Sequence, residues 1–479
     1  MARYLKTKRD TELFVAGSLD RLLPEDSVAR AIWAGLEPLD FGLYDALYTN
    51  DAVGRSALNP RGLSAVWILA ILRGGTSSVR LASLCRRDIE FRWLLGDAPV
   101  EKSTLGDFRK MHFEALVSLS TQVLGALGQH GLLPGKDMGV DGTIVRAASS
   151  RNSVKSRRRL EARDQHLEET IREKWSQPDS DSEEVKALER RRQRGARALE
   201  EMTSRGLTEA VDRLTVTEPD AGLKRPKDGS YAPGYNAPVV TDLDSGAIVH
   251  AEVVDAGNDS AQLQSQFERA QEVPEDLGIG EGRDGVRSIA ADAAYHEARQ
   301  LEALEKHGVQ CFVPEDRDAH RTPPGVALEY RAEAFAYDEQ TDTMCCPAGQ
   351  CMKRRKLNNI KTSGLYQAPA DACHLCPAKP QCCPQTQQGR CVNRSLHTET
   401  LKRVARPVNS EEGRRKKIAR SVVCEGAFAR LKDLLHGRRR RMWNRVAAEA
   451  ELLWRQFAHN LMLLTGIWKP IVAPAHANG

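Results

Sequence analysis

Three carboxylates stand at places where an acid is informative. Asp141 lies in MGVDGTIV (138–145), where Met138, Val140, Ile144 and Val145 fit a short buried strand. An unpaired charge is expensive to bury, so an acid in such a run needs a reason. Asp292 closes the apolar run GVRSIAAD (285–292), and Glu425 sits mid-way along ARSVVCEGAFARLKDLLHG (419–437), a helical pattern otherwise apolar and basic. Such a set suits phosphodiester chemistry. Two Mg²⁺ or Mn²⁺ ions about 3.5–4 Å apart activate an attacking oxygen and stabilise a leaving one, and hard cations take carboxylate oxygens as ligands. Each acid alone has an ordinary explanation: a strand-end aspartate before Gly142, a turn aspartate, an exposed helix with ion pairs.

The charge around Glu425 weighs against the ordinary explanation. Between Lys402 and Arg445 fifteen Lys and Arg stand against four acids, an excess of eleven in a chain whose whole net charge is +5. RRKK (414–417) and the run Arg438, Arg439, Arg440, Arg441 bracket the Glu425 helix. This is the footprint of a polyanion-binding surface. Arg420 lies five residues before Glu425, and Lys432 lies seven after it, two α-helical turns along one face. Both suit phosphate clamps. Trp443, beside the arginine run, is read as a core anchor ahead of a base-stacking platform.

Cysteine is the second chemistry. Of 11 cysteines, Cys345, Cys346, Cys351, Cys373, Cys376, Cys382, Cys383 and Cys391 fall within 47 residues. Cys373-x2-Cys376 has a metal-knuckle spacing, and Zn²⁺ takes four tetrahedral thiolate or imidazole ligands. The expected set is Cys346, Cys373, Cys376 and Cys382, with Cys351 as a substitute and His374 a bystander. Reduced cysteines in a loop-rich insertion are the competing reading.

The elements that must position these groups follow from periodicity and caps. LPEDSVARAIWAGLEPL (23–39) has a start signal ending at Ser27. LSAVWILAILRGG (63–75) reads as a buried helix stopped by a glycine pair, and another helix begins at Ser78. Ser103-Thr104 read as the cap of a single long helix through LGDFRKMHFEALVSLSTQVLGAL. Residues 151–213 are about half charged, with stripes at Leu160, Leu167, Ile171, Trp175 and at Val185, Leu188, Leu199, Met202. They predict a helical hairpin, with a cap at Ser180 or Asp181, whose charges form a solvated face and not a dedicated DNA arm. VVTDL and AIVHAEVV around Asp244-Ser245-Gly246 predict a β-hairpin. A capped helix over 258–273, a strand ending at Asp292, a helix through HEARQLEALEKHG and the strand VQCFVP (309–314) follow. The alternation predicts an α/β fold with a mixed sheet. Residues 315–415 read as irregular, and 416–468 as strong helix ending its first part at Gly437.

Nothing in the chain has the roughly 18 consecutive apolar residues of a membrane span, and MARYLKTKRD lacks an apolar leader segment. A cytoplasmic, nucleoid-associated protein is expected.

In order, GVDGTIVRA, AADAAY and RSVVCEGAFARLK resemble the three catalytic blocks of DDE transposases from bacterial insertion sequences. LYDALY, WILAILRGGTSSVRLASLCRRDIEFRWLLG, STLGDFRKMH, GYNAPVVTD and VVDAGNDS resemble other segments of that group, so the resemblance covers roughly residues 10–470. It implies an RNase H-like mixed sheet flanked by helices, two Mg²⁺ (or Mn²⁺) ions on Asp141, Asp292 and Glu425, and phosphate contacts from Arg420 and Lys432. It implies binding to double-stranded DNA, at terminal inverted repeats and a target, by a homodimer or higher homo-oligomer. The family's tyrosine, three residues before Arg420, is replaced here by Lys417. The implied division is a helical DNA-binding or dimerisation region at 1–132, a catalytic core at 133–150 and 214–314, the charged hairpin at 151–213, a Cys-rich insertion at 315–400, and C-terminal helices at 401–470. A non-catalytic transposase-derived DNA-binding protein and a metal-dependent nuclease without strand transfer are the alternatives.

Overall fold

The computed structural model describes residues 17–46, 57–75, 77–176, 182–224, 231–254, 262–276, 285–315, 325–357, 363–437 and 444–471. The chain divides into two compact units, each assembled from segments far apart in sequence. Arg438, Arg439, Arg440, Arg441, Trp443, the helix start at 258–260 and the cap at 180–181 lie outside the described residues.

One unit comprises residues 1–132, 145–234 and 429–470. Its N-terminal part is helical, as the periodicity predicts. Ser27 caps Val28–Leu36 by accepting from the Ala29 amide, and Pro60–Leu72, capped by Asn59, is buried along most of its length. The chain turns out of that helix through Gly74, whose φ of +69° a side chain would resist. The single long helix expected after Ser103-Thr104 is two helices, Lys102–Met111 and Phe113–Gln129, broken at His112. Glu101, not Ser103, holds the cap position. The last helix, Arg445–Leu464, is buried on nearly every side. It packs on the N-terminal helices: Trp454 meets Phe108 at 6.3 Å between ring centroids, and a Cβ at Gly35 would stand 2.9 Å from Leu461.

The hairpin of the same unit runs through helices Arg157–Trp175 and Ser182–Ser204. Leu160, Ala198, Met202 and Leu214 form its small core. Short antiparallel strands Val154–Ser156 and Arg213–Thr215 close its base. Trp175, expected on the buried stripe, is 60% exposed.

The other unit comprises residues 133–144, 235–428 and 471–479. The main six-stranded sheet contains β1 (Asp137–Arg146), β2 (Ala232–Asp242), β3 (Ile248–Ala251), β4 (Ser288–Ala291) and β5 (Gln310–Phe312), in the order β3-β2-β1-β4-β5, with the short strand Gly222–Lys224 also antiparallel to the start of β2. β2 and β3 are the expected hairpin, antiparallel, turning through Gly246 at φ +76°. β1, β4 and β5 run parallel. Helices Leu263–Asp276 and Ala298–Lys306 lead into β4 and β5. The mixed α/β class predicted from the sequence is the class observed.

Residues 336–395, read as irregular, are a five-stranded antiparallel sheet. Its strands are β6 (Ala336–Asp338), β7 (Thr343–Cys345), β8 (Cys351–Leu357), β9 (Ser363–Gln367) and β10 (Cys391–Ser395), in the order β10-β9-β8-β7-β6. The strands are short and mostly polar, and β8 buries a single residue, Met352. Their apolar pattern is therefore too sparse to announce a sheet. Helix Glu411–Ala429 follows and belongs to this unit up to Phe428.

Candidate active site

Asp141 sits on β1 and Asp292 directly follows β4. The parallel register pairs Asp137 with Ser288 and Val140 with Ala291. Asp141 and Asp292 are the next residue on each side of that last pair, the paired strands lying about 4.8 Å apart. The shared register also gives them one sheet face. Local bonds fix both carboxylates. Asp141 accepts from the Gly142 amide at 2.8 Å, and Asp292 accepts from the Ala294 amide at 2.9 Å, capping the short turn Ala293–Tyr295.

Helix Glu411–Ala429 packs onto this strand pair. A Cβ on Gly139 would stand 2.6 Å from Leu243 and 2.8 Å from the Cys424 sulfur, so only glycine admits the helix at this depth. Two ion pairs join helix to strand. Lys416 reaches Asp137, and Arg420 Nη1 donates to Asp141 Oδ2 at 2.9 Å, both side chains about 15% exposed. Arg420 Nε is buried with no acceptor among the described residues. Cys424 lies between the acids. Burial pushes its thiol up to about 12, and Asp141 and Glu425 both add to the rise while Arg420 opposes it. Glu425 itself is exposed, its carboxylate accepting from the Ser421 hydroxyl at 3.4 Å.

The structure thus joins Arg420 to Asp141, leaves Asp292 just past the neighbouring strand, and places Glu425 on the same helix as Arg420. Among the described residues, no group of three or more His, Cys, Asp or Glu is arranged to hold a metal ion. The α-helical spacing that put Lys432 on the Glu425 face ends at Ala429. A π turn over Arg430–Leu434 intervenes, with one more residue in each hydrogen-bonded ring. Lys416 and Asp137 were missed as a pair. Lys416 was counted only within the basic run, and nothing in sequence assigns it a partner 279 positions away.

The cysteines converge without disulfides. Cys346, Cys373, Cys376, Cys382 and Cys383 line one cleft. Cys346 begins a tight turn: its sulfur accepts from the Gln350 amide at 3.2 Å, and Gly349 takes φ +78°. The Cys373 sulfur accepts from the Arg390 amide at 3.4 Å. Burial first, then the neighbouring thiols, raise Cys382 and carry Cys383 to about 11. Cys351 is exposed, on strand β8. His374 is engaged by the Gln387 carbonyl and Lys379.

A family described as a transposase DDE domain matches residues 345–465, and one described as a transposase domain (DUF772) matches residues 17–111. Together these matches support a DDE transposase of an insertion sequence. No curated protein matches the chain. The DDE match takes in Glu425, Arg420, Lys432 and the cysteine block of this chain, and begins after Asp141 and Asp292. A DDE domain implies an enzyme that cuts and transfers DNA, acting on substrates such as insertion-sequence ends and generally using divalent metal ions. Among the described residues no helix is long and apolar enough to cross a membrane.

Proposed function

We propose that this transposase cleaves DNA at the inverted-repeat ends of its element and transfers the freed strand, with Asp141, Asp292 and Glu425 as the acidic set. The observation that carries this reading is the β1–β4 register, whose last pair, Val140 with Ala291, immediately precedes Asp141 and Asp292. The strand order β3-β2-β1-β4-β5, with its antiparallel hairpin at one side and parallel strands at the other, favours an RNase H-like core. In donor type the three acids suit Mg²⁺ or Mn²⁺. When bound, such ions lower the cost of charge on the attacking and leaving oxygens. The chain supplies the rest. β1 and β4 fix two carboxylates on one face, and Glu425 approaches from the helix that Gly139 admits. Arg420 holds Asp141 in place through its Nη1. Water attacks a phosphodiester and its P–O3′ bond breaks; the released 3′-hydroxyl then attacks a second phosphodiester, whose own P–O3′ bond breaks, the leaving 3′-oxygen taking up a proton to become a hydroxyl. Pairing two element ends calls for at least a homodimer.

The experiment is incubation of the full chain with Mg²⁺ and duplex DNA carrying the inverted repeats that flank its gene. Wild type should cut and join, while Asp141→Ala, Asp292→Ala and Glu425→Ala each abolish both. Equal cutting by Asp292→Ala would sink the assignment, and cutting without joining would leave a nuclease.

The same reading keeps a structural Zn²⁺ in the cysteine cleft, with Cys346, Cys373, Cys376 and Cys382 as ligands. Amide donors to the Cys346 and Cys373 sulfurs suit thiolates, and the ion would draw the four sulfurs in. Elemental analysis of purified chain should return about one zinc per chain and much less for Cys373→Ser. A zinc-free, fully folded wild type excludes the site.

A further inference from the structure

The hairpin at residues 151–217 carries a charge run that sequence assigns to a solvated face, and two groups of its cations differ in their surroundings. Arg157, Arg172, Lys174, Lys186, Arg192 and Arg205 are each paired with a carboxylate of the hairpin itself. Lys155, Arg163, Arg191 and Arg194 instead line one open cleft together with Ser153 and Thr217. No carboxylate lines it. Among the described residues none of these four cations has an ion-pair partner. Lys155 donates to the Asn152 carbonyl at 2.9 Å, and Arg194 spends only Nε, on the Arg190 carbonyl. Two helices and a strand therefore gather four charges that repel one another. On a simple solvated face like charges spread apart, whereas these four surround one concavity that no carboxylate lines.

We propose that this cleft, which shares no residue with the acidic set, binds the phosphodiester backbone of DNA. The chemistry favours phosphate over an acidic peptide. Val216 is the single apolar side chain lining the cleft, so there is no anchor for a partner's apolar groups. Guanidinium forks and flanking hydroxyls match phosphate oxygens. Contacts of this kind position a duplex and carry no sequence information. The choice of DNA as the polyanion rests on the transposase reading above, and the cleft itself does not.

The test is the salt dependence of binding by the full chain to a labelled duplex of arbitrary sequence, in EDTA so that cleavage plays no part. Each phosphate neutralised contributes about 0.9 to the slope of log K against log[salt]. Arg163→Gln/Arg191→Gln/Arg194→Gln keeps good helix formers at exposed positions. It should lower the slope by about one to two and weaken binding roughly tenfold or more near 0.1 M salt. The triple Arg→Lys variant should keep the slope, and Arg172→Gln, which removes a paired cation, should leave it unchanged. Circular dichroism checks that each variant is folded. If the Gln triple does not fold, Arg191→Glu alone should lower the slope. An unchanged slope in folded variants overturns the proposal, as does loss of poly-glutamate binding with DNA binding intact. Either failure leaves cleavage by the acidic set standing.

Discussion

Arg420 has one bond to Asp141 and one idle donor, which separates it from Lys432 although both were read as phosphate clamps. Arg420→Ala removes the partner of a carboxylate only 16% exposed. A partly buried pair broken this way costs roughly 1–3 kcal/mol, the lower end allowing for solvent screening. Single-turnover cleavage by Arg420→Ala should fall more than tenfold, the loss of about 1.4 kcal/mol or more of transition-state stabilisation. Lys432→Ala, within the π turn, should fall by much less, and equal losses would restore the one-face reading. At this scale Asp141 and Asp292 were legible because an acid in an apolar run is conspicuous. Glu425 was legible through its basic surroundings. The Lys416–Asp137 pair was not, since one cation among many gives no sign of its partner.

Elements show what the residues rest on. Gly139 is the point at which a helix and a strand touch, and its lack of a side chain sets their separation. Gly139→Ala should destabilise the chain by about 1–3 kcal/mol in denaturant unfolding, the usual range for overpacking. Combining it with Cys424→Ala should recover part of that loss, a coupling that a double-mutant cycle reads directly. Additive losses would place the strain elsewhere. His250 on β3 gives this sheet a pH dependence. Burial holds its imidazole well below the ordinary range, with Arg269 adding to the depression and Glu252 opposing it. A histidine lowered on folding is protonated preferentially when unfolded. Its contribution is therefore complete above about pH 6.5 and is lost as pH falls below that value. The unfolding midpoint should drop between pH 6.5 and 5 in wild type and less steeply in His250→Asn. The hairpin, the parallel strands and most helices were legible from period and caps. His112 breaks a run whose apolar spacing continues through it. The π turn escapes any reading built on 3.6 residues per turn. The second sheet escapes because its strands bury so little.

At the scale of the molecule, the boundary between the units falls at 428–429, inside a run of helix two residues past Gly426 and with no loop or proline to mark it. Helix Arg445–Leu464 returns to the unit of the N-terminal helices and buries Trp454, Phe457, Leu461 and Met462 there. A chain stopped after Phe428 leaves the apolar faces of Phe113–Gln129 and Pro60–Leu72 uncovered. Such a truncation should be found in the insoluble fraction, with residual soluble material binding a hydrophobic dye. A soluble, cooperatively unfolding truncation would show that those helices are complete without it. The sequence announced that last helix plainly, by its apolar face. What it packs against is information that only long-range contacts hold.

That returning helix also sets a clock. Residues 1–132 leave the ribosome long before residue 445, and synthesis proceeds at about 5–20 residues per second. The N-terminal helices therefore wait roughly 15–60 s for the segment that covers them. During that interval the nascent chain is a client for chaperones and proteases, with its first helices made and their last packing surface missing. A copy of the gene interrupted anywhere before that helix would yield a chain the cell discards, so DNA-cutting machinery would accumulate only from reading frames translated through it.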